Sequence, residues 1–192
     1  MRSAINRVSG ASLALALAGV LLVQCDSGVD AVSEKVYLLE DASNQEWCIY
    51  TNEREWKADV ELRGAMKVAT VDQVNGRITW IRVTEQDETG DWIVYDTYSL
   101  DANARMSRIK RTANILPGDR SEERIFLVRA GRAVGESSAT RRLGTGEPFR
   151  AAENWLPNVP IVTSVEALPF SPLIEAERLT TLRSQSCTPV GQ

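Results

Sequence analysis

The chain has 192 residues, of which 43% are hydrophobic and 25% are charged, and its formal net charge is −4. This composition is typical of an ordinary folded domain, and it excludes a disordered or fibrous chain. The sequence contains no histidine, the commonest general base and metal ligand. An enzyme built on it would depend on carboxylates, serine or the four lysines, so we expect a protein that is not an enzyme.

Residues 1–24 have the pattern of a signal peptide. Arg2 and Arg7 give the start a positive charge, no acidic residue occurs before Asp26, and apolar or small residues fill positions 11–23. A helix over this run would be about 20 Å long, which is too short to cross a hydrocarbon core of about 30 Å. The sequence therefore predicts export with removal of the leader.

The leader ends in the segment Leu22-Val23-Gln24-Cys25. It resembles the lipobox of bacterial lipoproteins, with leucine three residues before the cysteine, while Gln24 stands where that family usually has a small residue. The resemblance covers the leader alone, and it implies that Cys25 is acylated and becomes the new N-terminus. The protein would then be lipid-anchored on the periplasmic side of the bacterial cell envelope, with residues 25–34 as a tether.

Ordinary cleavage near Ser27 or Ala31 is the alternative, and it would give a soluble periplasmic protein. Either route leaves Cys48 and Cys187 as the two cysteines that can pair. Two cysteines in an oxidising compartment are expected to form a disulfide, which would clamp the C-terminal tail to the first strands. Two buried free thiols are the other interpretation.

Turn signals divide the middle of the chain at regular intervals: Asn75-Gly76, Thr89-Gly90-Asp91, Asp101-Ala102-Asn103-Ala104, Pro117-Gly118-Asp119 and Ala130-Gly131-Arg132. Asn-Gly between hydrophobic runs is a strong hairpin signal, because both central residues must accept positive φ. Runs rich in β-branched and aromatic residues lie between the turns, at 68–74, 77–84, 92–100, 106–116 and 124–129. Sequential strands joined by short turns predict an antiparallel meander.

The register of one hairpin can also be predicted. With Asn103 and Ala104 at the centre of their turn, the flanking strands pair Trp92 with Ile115, Val94 with Ala113, Asp96 with Arg111, and Tyr98 with Ile109. Apolar residues then face apolar residues and the acid faces a base. Such cross-strand pairs each contribute about 0.2–1 kcal/mol.

Residues 35–40 and 46–51 are predicted to form two further strands. Between 53 and 63, the alternation of Trp56, Ala58, Val60 and Leu62 favours a half-exposed strand, although the composition also suits a short helix. We expect a single mainly β domain over residues 35–147. Its antiparallel meander of roughly seven or eight strands would form a curved sheet or an open barrel.

The C-terminal region, 148–192, differs from the rest of the chain in composition. Six of the seven prolines lie at position 148 or beyond, which predicts an extended arm over residues 148–169. Ser171-Pro172 then has the pattern of a helix start. Four apolar residues follow at helical spacing: Leu173, Ala176, Leu179 and Leu182. We expect one C-terminal helix, packed over the apolar face of the sheet.

Charge is unevenly distributed, because acids outnumber bases over 26–101 and bases outnumber acids over 102–150. The basic set is Arg105, Arg108, Lys110, Arg111, Arg120, Arg124, Arg129 and Arg132. Arginine forks suit phosphate and carboxylate groups, so Arg105, Arg108, Arg111, Arg124, Arg129 and Arg132 are candidates for binding an anionic envelope component or a protein partner. Alternatively, these side chains form the outward face of two strands and pair with the acids of 92–101. Nucleic acid is not expected as a partner.

Five tryptophans are many for this length. Exposed aromatic rings can stack on sugars or anchor a partner. We expect Trp47, Trp80 and Trp92 to fill the core, since each lies in a predicted strand. Trp155, in the proline-rich arm, is the candidate anchor.

No catalytic motif or metal-ligand spacing is found, and the acids around Gly90 lack the spacing of a calcium loop, so neither metal nor cofactor is expected. We expect a non-catalytic cell-envelope lipoprotein that acts as a binding or interaction module. One alternative is a small-ligand binder that uses the concave face of the sheet. The other is a carboxylate hydrolase that uses Glu85, Asp96 or Asp101.

The lipobox resemblance generates a test at Cys25. Replacing Cys25→Ser removes the acylated sulfur, so the protein is expected to move from the membrane fraction to the soluble fraction, measured by immunoblotting of fractionated cells. Unchanged recovery with membranes would point instead to a retained leader helix.

Overall fold

The computed structural model describes residues 33–149, 159–174 and 187. The leader, Cys25 and Trp155 lie outside the described residues. Among those that are described, no helix is both long and apolar enough to span a membrane.

Eight strands form one open sheet, and every neighbouring pair is antiparallel. The strands are β1 (Ser33–Asp41), β2 (Glu46–Tyr50), β3 (Lys67–Val74), β4 (Arg77–Gln86), β5 (Trp92–Leu100), β6 (Met106–Ile115), β7 (Arg120–Arg129) and β8 (Arg132–Arg142). Their order is β2-β1-β3-β4-β5-β6-β7-β8, so β2 and β8 are the two edges. The mainly β antiparallel meander is confirmed, and β1 begins inside the predicted tether.

The predicted register of the β5–β6 hairpin is confirmed. Trp92 pairs with Ile115, Val94 with Ala113, Asp96 with Arg111, and Tyr98 with Ile109. At the predicted Asn-Gly turn, Asn75 has φ 53° and Gly76 has φ 72°, the left-handed conformation that such a turn requires.

Three turns, 75–76, 101–105 and 130–131, lie at the same end of the sheet, which we call the Gly76 end.

The predicted strand at 53–63 is wrong, because Glu53–Arg63 is an α-helix, α1. Its start is capped by Asn52, whose side chain accepts hydrogen bonds from two backbone N–H groups, and its end by Gly64 at φ 57°. Trp56 and Val60, four residues apart, pack together on the sheet. Leu62, which the alternation placed with them, is 68% exposed.

The C-terminal placement of the predicted helix is not confirmed. Within the described residues, Ser171–Leu173 form one 3-10 turn. The α-helix comes early in the chain instead, between β2 and β3. Ala176, Leu179 and Leu182 lie outside the described residues. Strand β8 has no counterpart among the predicted runs, since its Gly-Glu-Ser-Ser segment lacks an apolar alternation.

The two faces of the sheet are covered differently. The inner face, which carries Leu38, Ile81 and Ile109, is packed against residues 159–174, which we call the strap. Among the described residues, α1 covers the outer face at the β1–β2 side, and this face carries Tyr37, Trp80 and Tyr95. Most of the core therefore lies between the inner face and the strap.

Cys48 of β2 is joined to Cys187, with Cα atoms 5.2 Å apart, inside the range of about 4.4–6.8 Å that a disulfide allows. The pair fits the pairing predicted from sequence. It lies on the outer side of β2, in a cluster with Tyr50 and Ala65. Burial and a hydrogen bond to Asp59 raise the pKa of Tyr50 to about 12.

Removal of this disulfide is the first stability test. The two cysteines are separated by 139 residues, so Cys187→Ser is expected to lower the free energy of unfolding by about 3–5 kcal/mol, through greater entropy of the unfolded chain. Urea unfolding measures the change, and Cys25→Ser, which leaves the pair intact, is the control. Free thiols at both positions in non-reduced peptides would contradict the bridge.

Candidate ligand site on the inner face

An apolar cavity of about 330 Å³ lies between the strap and the Gly76 end of the sheet. Its lining comprises Gly76, Arg77, Ile78, Leu100, Ala104, Val165, Glu166, Ser171 and Ile174. Ile78 and Ile174 are buried, whereas Arg77 and Glu166 are exposed. This volume is near the lower limit of the range of about 300–1,000 Å³ that small-molecule sites occupy.

The strap is fixed by its own turns and by two buried side chains. The backbone N–H of Leu168 donates to the carbonyl of Val165 at 3.1 Å, and that of Ser171 donates to the carbonyl of Leu168 at 3.0 Å. Leu168 and Phe170 are buried in the core, and the Phe170 ring lies 4.7 Å from the ring of Trp47 on β2. The strap, which forms one wall of the cavity, is thus held to the sheet.

A second, more polar cavity of about 460 Å³ adjoins the first and shares Ala104, Val165 and Glu166 with it. It lies between the strap and turns 101–105 and 130–131. Across it, Thr163 Oγ1 donates a hydrogen bond to the Gly131 carbonyl at 2.9 Å.

The start of the strap is bound by a buried ion pair. Arg111 Nε and Nη2 lie 2.7 and 2.6 Å from the two carboxylate oxygens of Asp96, a bidentate fork. The same guanidinium donates to the carbonyls of Val159 at 2.5 Å and Pro160 at 3.1 Å. Burial lowers the pKa of Arg111, but the hydrogen bonds and charge of Asp96 more than offset this and raise it overall.

Tyr98 extends this buried network. Its hydroxyl donates to Asp96 Oδ2 at 3.3 Å. Burial and the Asp96 charge both raise the pKa of the Tyr98 hydroxyl well above its ordinary value. The hydroxyl therefore stays protonated and serves as a donor.

The carboxylates considered for a hydrolase have separate structural roles. Glu85 lies 3.6 Å from Lys67 Nζ, and Asp96 is held by Arg111. Asp101 accepts backbone hydrogen bonds from Asn103 and Arg105 within the β5–β6 turn, and these bonds lower its pKa. Asp101 is at the Gly76 end and Glu85 is near the opposite end of β4, so the three do not converge.

The structure distributes the basic set over three places. Arg111, Arg120 and Arg124 are on the inner face, Arg108 and Lys110 are on the outer face, and Arg105, Arg129 and Arg132 are at the Gly76 end. Several are ion-paired: Arg108 with Glu136 at 3.6 Å, Lys110 with Glu123 at 2.6 Å and Arg124 with Glu122 at 2.6 Å. The pairing of Asp96 with Arg111 is present, but on the inner face rather than outward.

Sequence reasoning missed the strap as a cavity wall. The sequence predicts an extended arm over residues 148–169 and a helix from Ser171, yet Leu168 and Phe170 flank Pro169 and both are buried. Two large apolar residues around a proline are the available signal that the arm packs on the core. Trp47 packs against the core as predicted, whereas Trp80 lies half-buried on the outer face.

The buried ion pair gives the second stability test. Arg111→Leu leaves the Asp96 carboxylate buried without its cation and is expected to lower the free energy of unfolding by about 3–5 kcal/mol. The double variant Asp96→Leu with Arg111→Leu removes both charges and is expected to lie closer to the parent protein in urea unfolding. Equal losses for the single and double variants would contradict this account.

The inner face thus offers an apolar cavity, an adjoining polar cavity and a buried ion pair that holds the start of the strap. No protein-family model, curated protein or solved structure matches this chain.

Proposed function

We propose that the protein is a non-catalytic binding module of the cell envelope that takes a small apolar ligand, or the apolar part of a larger one, into the inner-face cavity. The observation that carries this proposal is the cavity of about 330 Å³ between the strap and the Gly76 end. It is the structural feature that favours the small-ligand alternative over a binding surface made of arginines.

The chemistry of the walls supports an apolar ligand. Ile78, Leu100, Val165 and Ile174 supply aliphatic surface, and each Å² of apolar ligand surface removed from water contributes about 25 cal/mol. Arg77 and Glu166 supply one charge of each sign beside it. An apolar body with a small polar group therefore matches the site better than a fully charged ligand.

The cell-envelope location rests on the leader and on the cysteines. The lipobox resemblance at Cys25 supports a lipid anchor on the periplasmic side of the membrane. A Cys48–Cys187 disulfide is also typical of an oxidising compartment. In the alternative of ordinary leader cleavage, a soluble periplasmic protein would carry the same cavity.

One observation favours a second candidate function, the binding of an anionic envelope component or acidic protein. Arg129 and Arg132 are exposed and pair directly across the β7–β8 hairpin, an arrangement of like charges that costs stability. An anion between them would relieve this repulsion. Arg105, also exposed, lies at the same end of the sheet.

The cavity is tested with N-phenyl-1-naphthylamine, an uncharged fluorophore that brightens in apolar surroundings. The protein is expected to enhance its fluorescence, and Ala104→Trp, which places an indole where the two cavities meet, is expected to abolish the enhancement. Ala104 is an exposed turn residue with φ 58°, a backbone conformation in which tryptophan is strained, so urea unfolding of the variant checks that the fold is retained.

Ala102→Trp is the matched control, because Ala102 lies in the same turn and its side chain does not line either cavity. It is expected to bind the fluorophore like the parent protein. Absence of enhancement by the parent, or an equal response of the two tryptophan variants, would refute the cavity as the binding site.

A further inference from the structure

A groove of about 270 Å³ lies on the outer face, on the opposite side of the sheet from the cavity described above. Four aromatic side chains line it: Tyr37 of β1, Trp56 of α1, Trp80 of β4 and Tyr95 of β5. This concentration of aromatic rings outside the main core has no role in the proposed function.

Strand register explains how the groove forms. Tyr37, Thr70 and Arg82 are directly paired across β1, β3 and β4, so all three side chains project from the outer face. Thr84 pairs with Tyr95 in the next row. Thr70 and Thr84 therefore lie in the middle of the groove. The rings of Tyr37 and Trp56 are on the helix side of them, and the other two aromatic rings are on the β4–β5 side.

The helix-side wall is held by specific contacts. Trp56 Nε1 donates to the Leu38 carbonyl at 3.0 Å, and the rings of Tyr37 and Trp56 are 5.1 Å apart. The Tyr37 hydroxyl donates to Glu53 at 3.2 Å. Because Glu53 and Tyr37 hold each other, this wall is ordered before any ligand arrives.

The opposite wall carries a cation beside an aromatic ring. The Arg82 guanidinium lies 5.1 Å from the centre of the Trp80 ring, and Lys35 Nζ lies 5.8 Å from it. The electrons of the indole face attract a nearby cation, so the Trp80 ring helps to hold the Arg82 guanidinium on this wall.

Charge pairing within the groove leaves Arg82 as the available cation. Lys35 pairs with Asp72 at 3.5 Å, and Glu53 pairs with Lys57 at 2.7 Å. Across the part of the chain that the structure describes, Arg82 makes no ion pair with a carboxylate, and the hydroxyls of Thr70 and Thr84 make no side-chain hydrogen bond. These groups are free to meet a ligand.

We propose that this groove binds a sugar that carries an anionic group, either a carboxylate or a phosphate. The C–H face of a sugar ring packs on aromatic rings, its hydroxyls match those of threonine, and the anionic group matches the fork of Arg82. Charge complementarity selects an anionic sugar over a neutral one. The site is independent of the inner-face cavity and does not rest on the function proposed for it.

The experiment is isothermal titration calorimetry. It uses the protein purified from cells that express the full chain, after any processing that the cells carry out. The probes are tri-galacturonic acid for the carboxylate, mannose 6-phosphate for the phosphate, and galactotriose as the neutral sugar. We expect one of the two acidic probes to bind and galactotriose to bind at least about tenfold more weakly, because an ion-assisted hydrogen bond contributes about 1.5–3 kcal/mol.

Arg82→Gln tests the assigned cation, and Arg108→Gln is the matched control. Both arginines are exposed on the outer face, and Arg108 is on β6, two strands away, where it pairs with Glu136. Arg82→Gln is expected to weaken binding of the acidic probe about tenfold, whereas Arg108→Gln leaves it unchanged within about twofold. Trp80→Phe, which keeps an aromatic ring, is expected to retain part of the affinity.

Three results would overturn the proposal: no heat from either acidic probe at millimolar concentration, equal affinity for galactotriose, or equal effects of Arg82→Gln and Arg108→Gln. Failure of fluorophore binding at the inner cavity leaves this outcome unaffected, because the two sites are on opposite faces of the sheet.

Discussion

The apolar inner face of an open sheet must be covered, and the rest of this structure depends on how that is done. A closed barrel buries one face on itself, but here β2 and β8 remain apart as the two edges. The strap supplies the missing layer, with Leu168, Phe170 and Ile174 buried against the sheet. The cavity of about 330 Å³ lies where this strap meets the Gly76 end of the sheet.

The strap is also the reason for a buried charge in the core. Its first residues have no strand to pair with, so the carbonyls of Val159 and Pro160 need donors from elsewhere. Arg111 supplies them, and Asp96 neutralises Arg111 from the neighbouring strand. A buried ion pair contributes little net stability, but removing one partner costs several kcal/mol, so the pair fixes where the strap begins.

The edge strand β2 is held from both faces. On the inner face Trp47 contacts Phe170 of the strap, and on the outer face Cys48 is bonded to Cys187. Strand β8, at the other edge, is partly covered by the segment after it, since the Phe149 N–H donates to the Thr140 carbonyl at 3.0 Å. The segment after β8 thereby satisfies part of that edge, which limits its pairing with another chain.

Much of the sheet could be predicted from sequence because hydrophobic alternation and turn residues act locally. The β5–β6 register followed from one turn, and that register already implied an inward Asp96, because it places Asp96 between Val94 and Tyr98 on the apolar face. The outward placement predicted for Arg111 overlooked this consequence. Arg108 and Arg111 are an odd number of positions apart, which puts them on opposite faces of a regular strand.

Other features depend on contacts that alternation does not encode. Trp56 and Val60 satisfy a helical spacing as well as a strand spacing, and the capping residues Asn52 and Gly64 decide between them. The polar β8 exists because β7 offers it a ladder, not because of its own side chains. The inner cavity and the outer groove each combine residues far apart in the chain, so their linings became visible only with the tertiary structure.

The two faces of the sheet can therefore serve two kinds of chemistry. The inner face excludes water with aliphatic residues under the strap, whereas the outer face presents aromatic rings, hydroxyls and the cation of Arg82 to solvent. Period-two alternation lets one set of strands carry both surfaces, because successive side chains point to opposite sides. A change on one face leaves the other face's side chains in place, so the two proposed sites can be altered separately.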